Sequence, residues 1–270
     1  MKSSPLFSSL HVRFLRYGKK GEKSSKKEIF SSAELEKNEK KVILFSGRDK
    51  KEFRKVSMKT AFFGGSFDPP HAGHLGVARG ALASGRCDRV MWVPSFSPPH
   101  KAGRERADFG HRMNMLRLLT AGEPGNFVSD VEKRRQKSPS YTFELLEELN
   151  TRPEEEVLLL IGSDSLLELH TWHRGVELAE RFGVLTYPRP GAAVTPGILR
   201  RHFPGKTAEK LLSGLLSGKF FENSSTNLRS AMAKSANWND IISRTPAPVA
   251  EYCRRHGLYK ISVKEKLENE

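Results

Sequence analysis

Gly64-Gly65-Ser66-Phe67-Asp68-Pro69-Pro70-His71-Ala72-Gly73-His74 is the stretch on which the fold turns. It follows the short apolar run Thr60–Phe63 and leads into Gly73–Ala83, a run of small and apolar residues with helical spacing. A strand, a glycine pair and a helix in that order make a βα turn. The glycines let backbone N–H groups come close to an anion, and the helix N-terminus adds oriented donors and the positive end of its dipole. His71 and His74 stand three apart, so on or entering the helix their imidazoles share one face and can donate to phosphate oxygens. The letters exclude two other phosphate loops. There is no GxxxxGK[ST], and no GxGxxG follows the strand.

Working outward, strands and helices alternate. Strands are expected at Arg89–Val93, Asn126–Ser129, Val157–Ile161 and Arg181–Thr186, with a further one at Phe220–Phe221. Helices are expected at Asp108–Leu119, Thr142–Leu149, Thr226–Ala233 and Pro246–His256, the last closed by Gly257. This alternation predicts an α/β fold: a Rossmann-like, doubly wound, mainly parallel sheet with helices on both faces. In such a sheet ligands sit at the carboxyl ends of the strands, where the glycine pair lies.

Composition narrows the function classes. The 270 residues carry a net charge of +15, but residues 1–57 hold 16 Lys/Arg against 7 Asp/Glu, and the rest holds 30 against 24. The excess is mostly upstream of Met58. The body, at +6, suits anionic phosphates, and no nucleic-acid-binding motif supports a nucleic-acid partner. Cys87 and Cys253 are far apart and in no metal-ligand spacing, which fits a reducing, cytoplasmic setting and no protein-held metal. The longest apolar run, Val157–Ile161, is too short to cross a bilayer, so no membrane partner is expected. Residues 1–57 read as a basic extension without a core, 58–260 as the working domain and 261–270 as a charged tail. Met58 reads as a natural start. The acid-free residues 1–21, with Arg13 and Arg16 among apolar residues, also have the look of an organelle transit peptide.

The glycine-histidine block resembles the signature of the nucleotidyltransferase superfamily that includes the class I aminoacyl-tRNA synthetases, with its His-x-Gly-His element. Ser224-Ser225-Thr226-Asn227-Leu228-Arg229 is similar to the superfamily's SxxxxR element. The residues make sense of that likeness: Ser224, Ser225 and Thr226 are N-cap types before a helix, and Arg229 brings a guanidinium to phosphates. Further pieces resemble the bacterial nicotinate-mononucleotide adenylyltransferases: Pro98-Pro99-His100-Lys101, Ser140-Tyr141-Thr142, Ile161–Leu166, Trp172 and Val249–Tyr259.

The resemblance implies transfer of the adenylyl group of ATP to nicotinate mononucleotide, giving deamido-NAD and pyrophosphate, with Mg²⁺ accompanying ATP. The ATP side would be Gly64, Gly65, Ser66, Phe67, Gly73, Ser224, Ser225 and Thr226, with Arg189 bordering adenosine. His71, His74, Lys101 and Arg229 would carry the charge of the transferring phosphates. On the acceptor side Trp172 would stack on the pyridine ring, and backbone N–H groups at Tyr141 and Thr142 would hold its carboxylate. Gly162 and Asp164 would meet the ribose, and Asp164 reads equally as a helix N-cap. The nearest alternatives are the same chemistry on nicotinamide mononucleotide or phosphopantetheine. A rival of another class is a basic RNA-binding protein, suggested by the charge of residues 1–57. The protein is expected to act as a monomer or homodimer.

Overall fold

The structure is a computed structural model that describes residues 57–96, 106–151, 154–218, 224–234 and 237–259. Five strands form one sheet: β1 (Met58–Gly65), β2 (Arg89–Pro94), β3 (Asn126–Val128), β4 (Glu155–Gly162) and β5 (Val184–Tyr187). Their order is β3-β2-β1-β4-β5, and each adjacent pair is parallel. The chain winds from β1 outward to β3, then returns to place β4 on β1's other side. The order therefore reverses between β1 and β4, and a crevice opens beyond their carboxyl ends, at Gly64-Gly65 and Ile161-Gly162. The expected doubly wound sheet is present.

The strand residues explain why both faces are covered. Phe62 pairs with Met91 on one side and Leu159 on the other, and these face one apolar layer with Phe143, Leu166 and Leu178. Their neighbours Ala61, Phe63, Leu158 and Leu160 point the opposite way, onto Ala78, Leu116 and Val249. The unbroken run Val157–Ile161 is thus the mark of a strand buried on two sides.

Between the strands lie α1 (Ala72–Ala83), α2 (Phe109–Thr120), α3 (Val131–Arg135), α4 (Thr142–Leu149), α5 (Ser163–Glu168), a 3₁₀ turn (Leu169–Thr171) and α6 (Gly175–Arg181). After β5 come α7 (Pro196–Arg200), α8 (Gly205–Ser213), α9 (Ser225–Ala233), α10 (Trp238–Arg244) and α11 (Ala247–Arg255).

The fifth strand starts three residues later than the sequence suggests. Arg181 ends α6, held by Glu147 and by Glu177 one turn back, and its guanidinium lies over the Phe143 and Phe182 rings. Only Val184–Tyr187, where the apolar pattern is continuous, enters the sheet. The strand expected at Phe220–Phe221 lies outside the described residues. Just before it, Leu216 donates to the Thr186 carbonyl (2.8 Å), a short parallel bridge beside β5.

Candidate active site

A cleft of about 440 Å³ opens at the switch point, lined on one side by Gly64–Asp68, His71, His74 and the start of α9, and on the other by Ile161, Gly162, Asp164, Trp172, Tyr187 and Arg189.

The β1 side is built by the loop between β1 and α1. Glycine is required at Gly64 because a Cβ there would fall 2.8 Å from the Phe62 ring. Phe67 follows with φ 48 and is buried against Phe63, Trp92 and His74. The loop's carbonyls are taken up one after another by side chains. Arg112 Nη1 donates to Ser66 (3.0 Å), Arg229 Nη1 to Asp68, Ser225 Oγ to Pro69 (2.9 Å) and Thr245 Oγ1 to Pro70 (2.9 Å).

The Asp68 carboxylate, 3% exposed, is held as well. Its Oδ1 accepts from the Ala107 N–H (3.1 Å) and the Tyr259 hydroxyl (2.9 Å), and Oδ2 lies 3.8 Å from Arg229 Nη1. None of Asp68, Arg112, Thr245 and Tyr259 was singled out by sequence reasoning. Asp68 stands inside the motif, and the other three are far from it in the chain.

His71 is the N-cap residue of α1, in extended backbone, and its ring centroid lies 3.8 Å from that of His74. The His71 backbone N–H donates to His74 Nδ1 (3.2 Å), which leaves the His74 proton on Nε2, the atom free to donate. Burial, then the positive charge of Arg189, lower the His71 pKa from 6.5 to about 4. Burial, with His71 and Arg189 nearby, pushes His74 well below its ordinary value. At neutral pH the pair consists of uncharged imidazoles. His71 Nδ1 is buried with no partner in the protein.

α9 closes this side. Ser224 caps it, its Oγ accepting from the Asn227 N–H (3.1 Å), as the serine run suggested. Arg229, one turn in, donates from Nη2 to Thr226 Oγ1 (3.0 Å). Ser224, Ser225, Thr226 and Arg229 all line the cleft.

The β4–β5 side is assembled from separate segments. Gly162 caps α5, and a Cβ on it would meet Asp164 Oδ1 and Arg189 Nε. Asp164 therefore sits in the first turn of α5 and is not its N-cap. Its Oδ2 is 3.4 Å from Arg189 Nη1, and the Arg189 guanidinium also donates to the Tyr187 hydroxyl from Nε (3.3 Å) and Nη2 (2.9 Å). The Arg189 backbone N–H donates to Ser163 Oγ (2.9 Å), so β5 and α5 are tied beneath the cleft. Trp172 is half-buried at the end of the 3₁₀ turn, where its N–H donates to Leu169 (3.1 Å) and its carbonyl accepts from Gly175 (2.9 Å).

Three expected residues do not line this cleft. Gly73 is buried within the first turn of α1, where it spaces the two histidines. Tyr141 and Thr142 stand at the start of α4; Tyr141 stacks on His173 (4.2 Å), whose Nε2 is 3.0 Å from Glu144, one residue beyond Trp172. Lys101 lies outside the described residues. Tyr187, Ser165 and Arg106 line the cleft without having been expected.

The cytidylyltransferase-like family matches residues 62–244 of the chain. Two curated relatives, each called "Probable nicotinate-nucleotide adenylyltransferase", match over most of their length. The protein of Gloeobacter violaceus is 34% identical, over 75% of this chain and 97% of its own, and that of Roseiflexus sp. is 35% identical, over 76% and 99%. This chain belongs to the nicotinate-nucleotide adenylyltransferase family. Among solved structures, the nicotinic acid mononucleotide adenylyltransferase of Plasmodium falciparum complexed with NaAD superposes with a TM-score of 0.61 at 19% identity, over 75% of this chain and 97% of that one. At that identity the superposition speaks for the fold. The adenylyltransferase family and the five-stranded parallel sheet thus agree with the reading of the glycine-histidine block and the SxxxxR element.

Proposed function

We propose that this protein transfers the adenylyl group of ATP to nicotinate mononucleotide, releasing pyrophosphate and forming deamido-NAD, a step towards NAD. The observation that carries this is the convergence of His71, His74 and Arg229 on one wall of a cleft whose other wall presents Trp172 and Asp164. Membership of the family supports the acceptor.

The acceptor's 5′-phosphate is already an anion, so its attack on the α-phosphorus of ATP needs no general base. The protein's task is to position the two phosphates in line and to stabilise charge on the transferring group and on pyrophosphate. His74, with its proton on Nε2, donates to a phosphate oxygen as a neutral imidazole. His71 lies against it, ring centroids 3.8 Å apart, and lines the same part of the cleft. Arg229 and Lys101 bring positive charge, and the loop Gly64–Phe67 with Ser224–Thr226 encloses the triphosphate. ATP enters as its Mg²⁺ chelate.

Trp172 gives the pyridine ring a flat apolar partner, and Asp164 an acceptor for ribose hydroxyls once Arg189 yields. Gly162 keeps the floor between them open. The N–H groups at Tyr141 and Thr142 would hold the ring's carboxylate, Tyr141 standing against His173, the residue after Trp172. One chain supplies every one of these groups, so a monomer or homodimer suffices. The working unit is residues 58–260, and the reaction runs in the cytoplasm.

A pyrophosphate-release assay on the chain beginning at Met58, with nicotinate mononucleotide, nicotinamide mononucleotide and phosphopantetheine in parallel, tests the reading. Release is expected to be fastest with nicotinate mononucleotide. Turnover with phosphopantetheine alone would overturn the acceptor, and an inactive Met58 chain beside an active full chain would overturn the domain boundary.

A further inference from the structure

On the adenylyl-transfer reading, we propose that Tyr259 is a positioning residue for ATP: its hydroxyl latches the phosphate loop through Asp68 and so ties the chain's C-terminal turn to the triphosphate site. The contact spans 191 positions in sequence.

The C-terminal side of the latch is anchored before it reaches the loop. α11 packs on α2, where the Tyr252 hydroxyl accepts from Asn114 Nδ2 (3.0 Å) and lies 3.0 Å from His111 Nδ1. Cys253 Sγ meets Met115 Sδ at 3.4 Å beneath it. The helix then ends in a glycine turn. Gly257 takes φ +62, its N–H donates to Arg254 (3.2 Å), and the Leu258 N–H donates to Cys253 (3.0 Å). The chain is redirected towards the cleft, and Tyr259 delivers its hydroxyl to Asp68 Oδ1 at 2.9 Å.

Strain marks both ends of the contact. Four non-glycine residues among those described have positive φ. Two of them are Phe67 (φ 48), next to Asp68, and Tyr259 (φ 64) itself. A non-glycine residue in this region persists only where its surroundings hold it. The phenol is suited to hold. Burial, with the negative charge of Asp68, raises its pKa well above the ordinary value, so it stays protonated and donates.

Asp68 carries the effect to the ligand. Its carbonyl and Oδ2 both meet Arg229 Nη1, and the residues just before it in the loop, Gly64–Phe67, line the cleft. With the Tyr259 hydroxyl removed, the carboxylate keeps the Ala107 N–H and Arg229. It then swings towards Arg229, and a phosphate-binding guanidinium is drawn off the triphosphate.

Tyr259→Phe deletes only the hydroxyl. Loss of a donor to a buried carboxylate should raise the KM for ATP about tenfold. The KM for nicotinate mononucleotide should stay within about twofold, because the opposite wall is untouched. A hydroxyl that merely supports the fold would lower the thermal midpoint and the active fraction while leaving both KM values in place, and that result overturns the proposal. A second measurement needs no variant. Coupling between sites is reciprocal, so ATP added to the wild-type chain should slow amide exchange in 247–259 together with 64–74. Slowing at 64–74 alone overturns the latch. A wild-type chain that binds ATP but does not convert nicotinate mononucleotide sinks the functional reading instead, and the exchange measurement still decides the latch.

Discussion

On the β1 side of the cleft, the loop carbonyls of Ser66, Asp68, Pro69 and Pro70 are each bound by a side chain reaching in from α2, α9 or the turn before α11. On the β4–β5 side the polar groups mostly hold one another: Asp164 pairs with Arg189, and Arg189 with Tyr187. Asp68 is almost fully enclosed, whereas the side chains of Asp164 and Arg189 are about half exposed (50% and 47%). The first wall is preorganised, its donors fixed before any ligand arrives. The second can exchange a weak, partly solvated ion pair for contacts to a substrate at little cost. That division suits an enzyme whose chemistry happens at the phosphates and whose selectivity is exercised at the ring and ribose.

The largest effect should come from the preorganised wall. His74→Ala removes a donor aimed at charge that develops during transfer, so kcat should fall on the order of 10²–10³-fold, with a much smaller change in the KM for either substrate. Steady-state kinetics decide it. A wild-type kcat would show that this wall binds without catalysing and would erase the contrast between the two sides.

Next in size is a dependence of stability on pH that belongs to the same wall. His71 has its pKa lowered to about 4 in the folded chain, against an ordinary 6.5, first by burial and then by Arg189. Between these values the unfolded chain binds a proton that the folded chain refuses, so stability falls as pH drops from 6.5 to about 4 and this contribution levels off below that. The full loss amounts to about 3 kcal/mol. Urea unfolding of the wild type and of His71→Asn across pH 4–7 should show the steeper decline in the wild type. Equal slopes would mean that the histidine is not enclosed as the β1 side requires.

The same contrast explains what the sequence discloses. The β1 wall is legible because its ligand-facing groups lie in one eleven-residue block and one capped helix start. Glycines, i, i+3 histidines and a serine run before Arg229 are local signals with local causes. What braces that wall is not legible. Tyr259, Arg112 and Thr245 reach Asp68 and the loop carbonyls only through the fold, and nothing near them in sequence marks the pairing. The β4–β5 wall is legible in part. Trp172 and Gly162-Ser163-Asp164 are found through the family resemblance, but that Arg189 already engages Asp164 follows from β4 and β5 being neighbours in the sheet. The short helices α6 to α8 escape for a related reason. α7 has five residues and leans on one cap, Thr195 Oγ1 accepting from the Ile198 N–H (3.3 Å), and too few apolar positions repeat for a period to show.

The smallest of the three effects should lie on the exchangeable wall. Trp172 is pinned by backbone hydrogen bonds to Leu169 and Gly175, and at Gly175 a Cβ would collide with the Leu169 carbonyl, so the turn presents the indole in one place. A pyridine ring stacked there gains a flat partner in the ground state and in the transition state alike. Trp172→Ala should therefore raise the KM for nicotinate mononucleotide about tenfold, in line with the value of an aromatic stack, and leave kcat and the KM for ATP nearly unchanged. A parallel fall in kcat would mean that the indole also sets the angle of attack at the α-phosphorus. The two walls would then have to be treated as one preorganised surface, with the Asp164–Arg189 pair as its only yielding part.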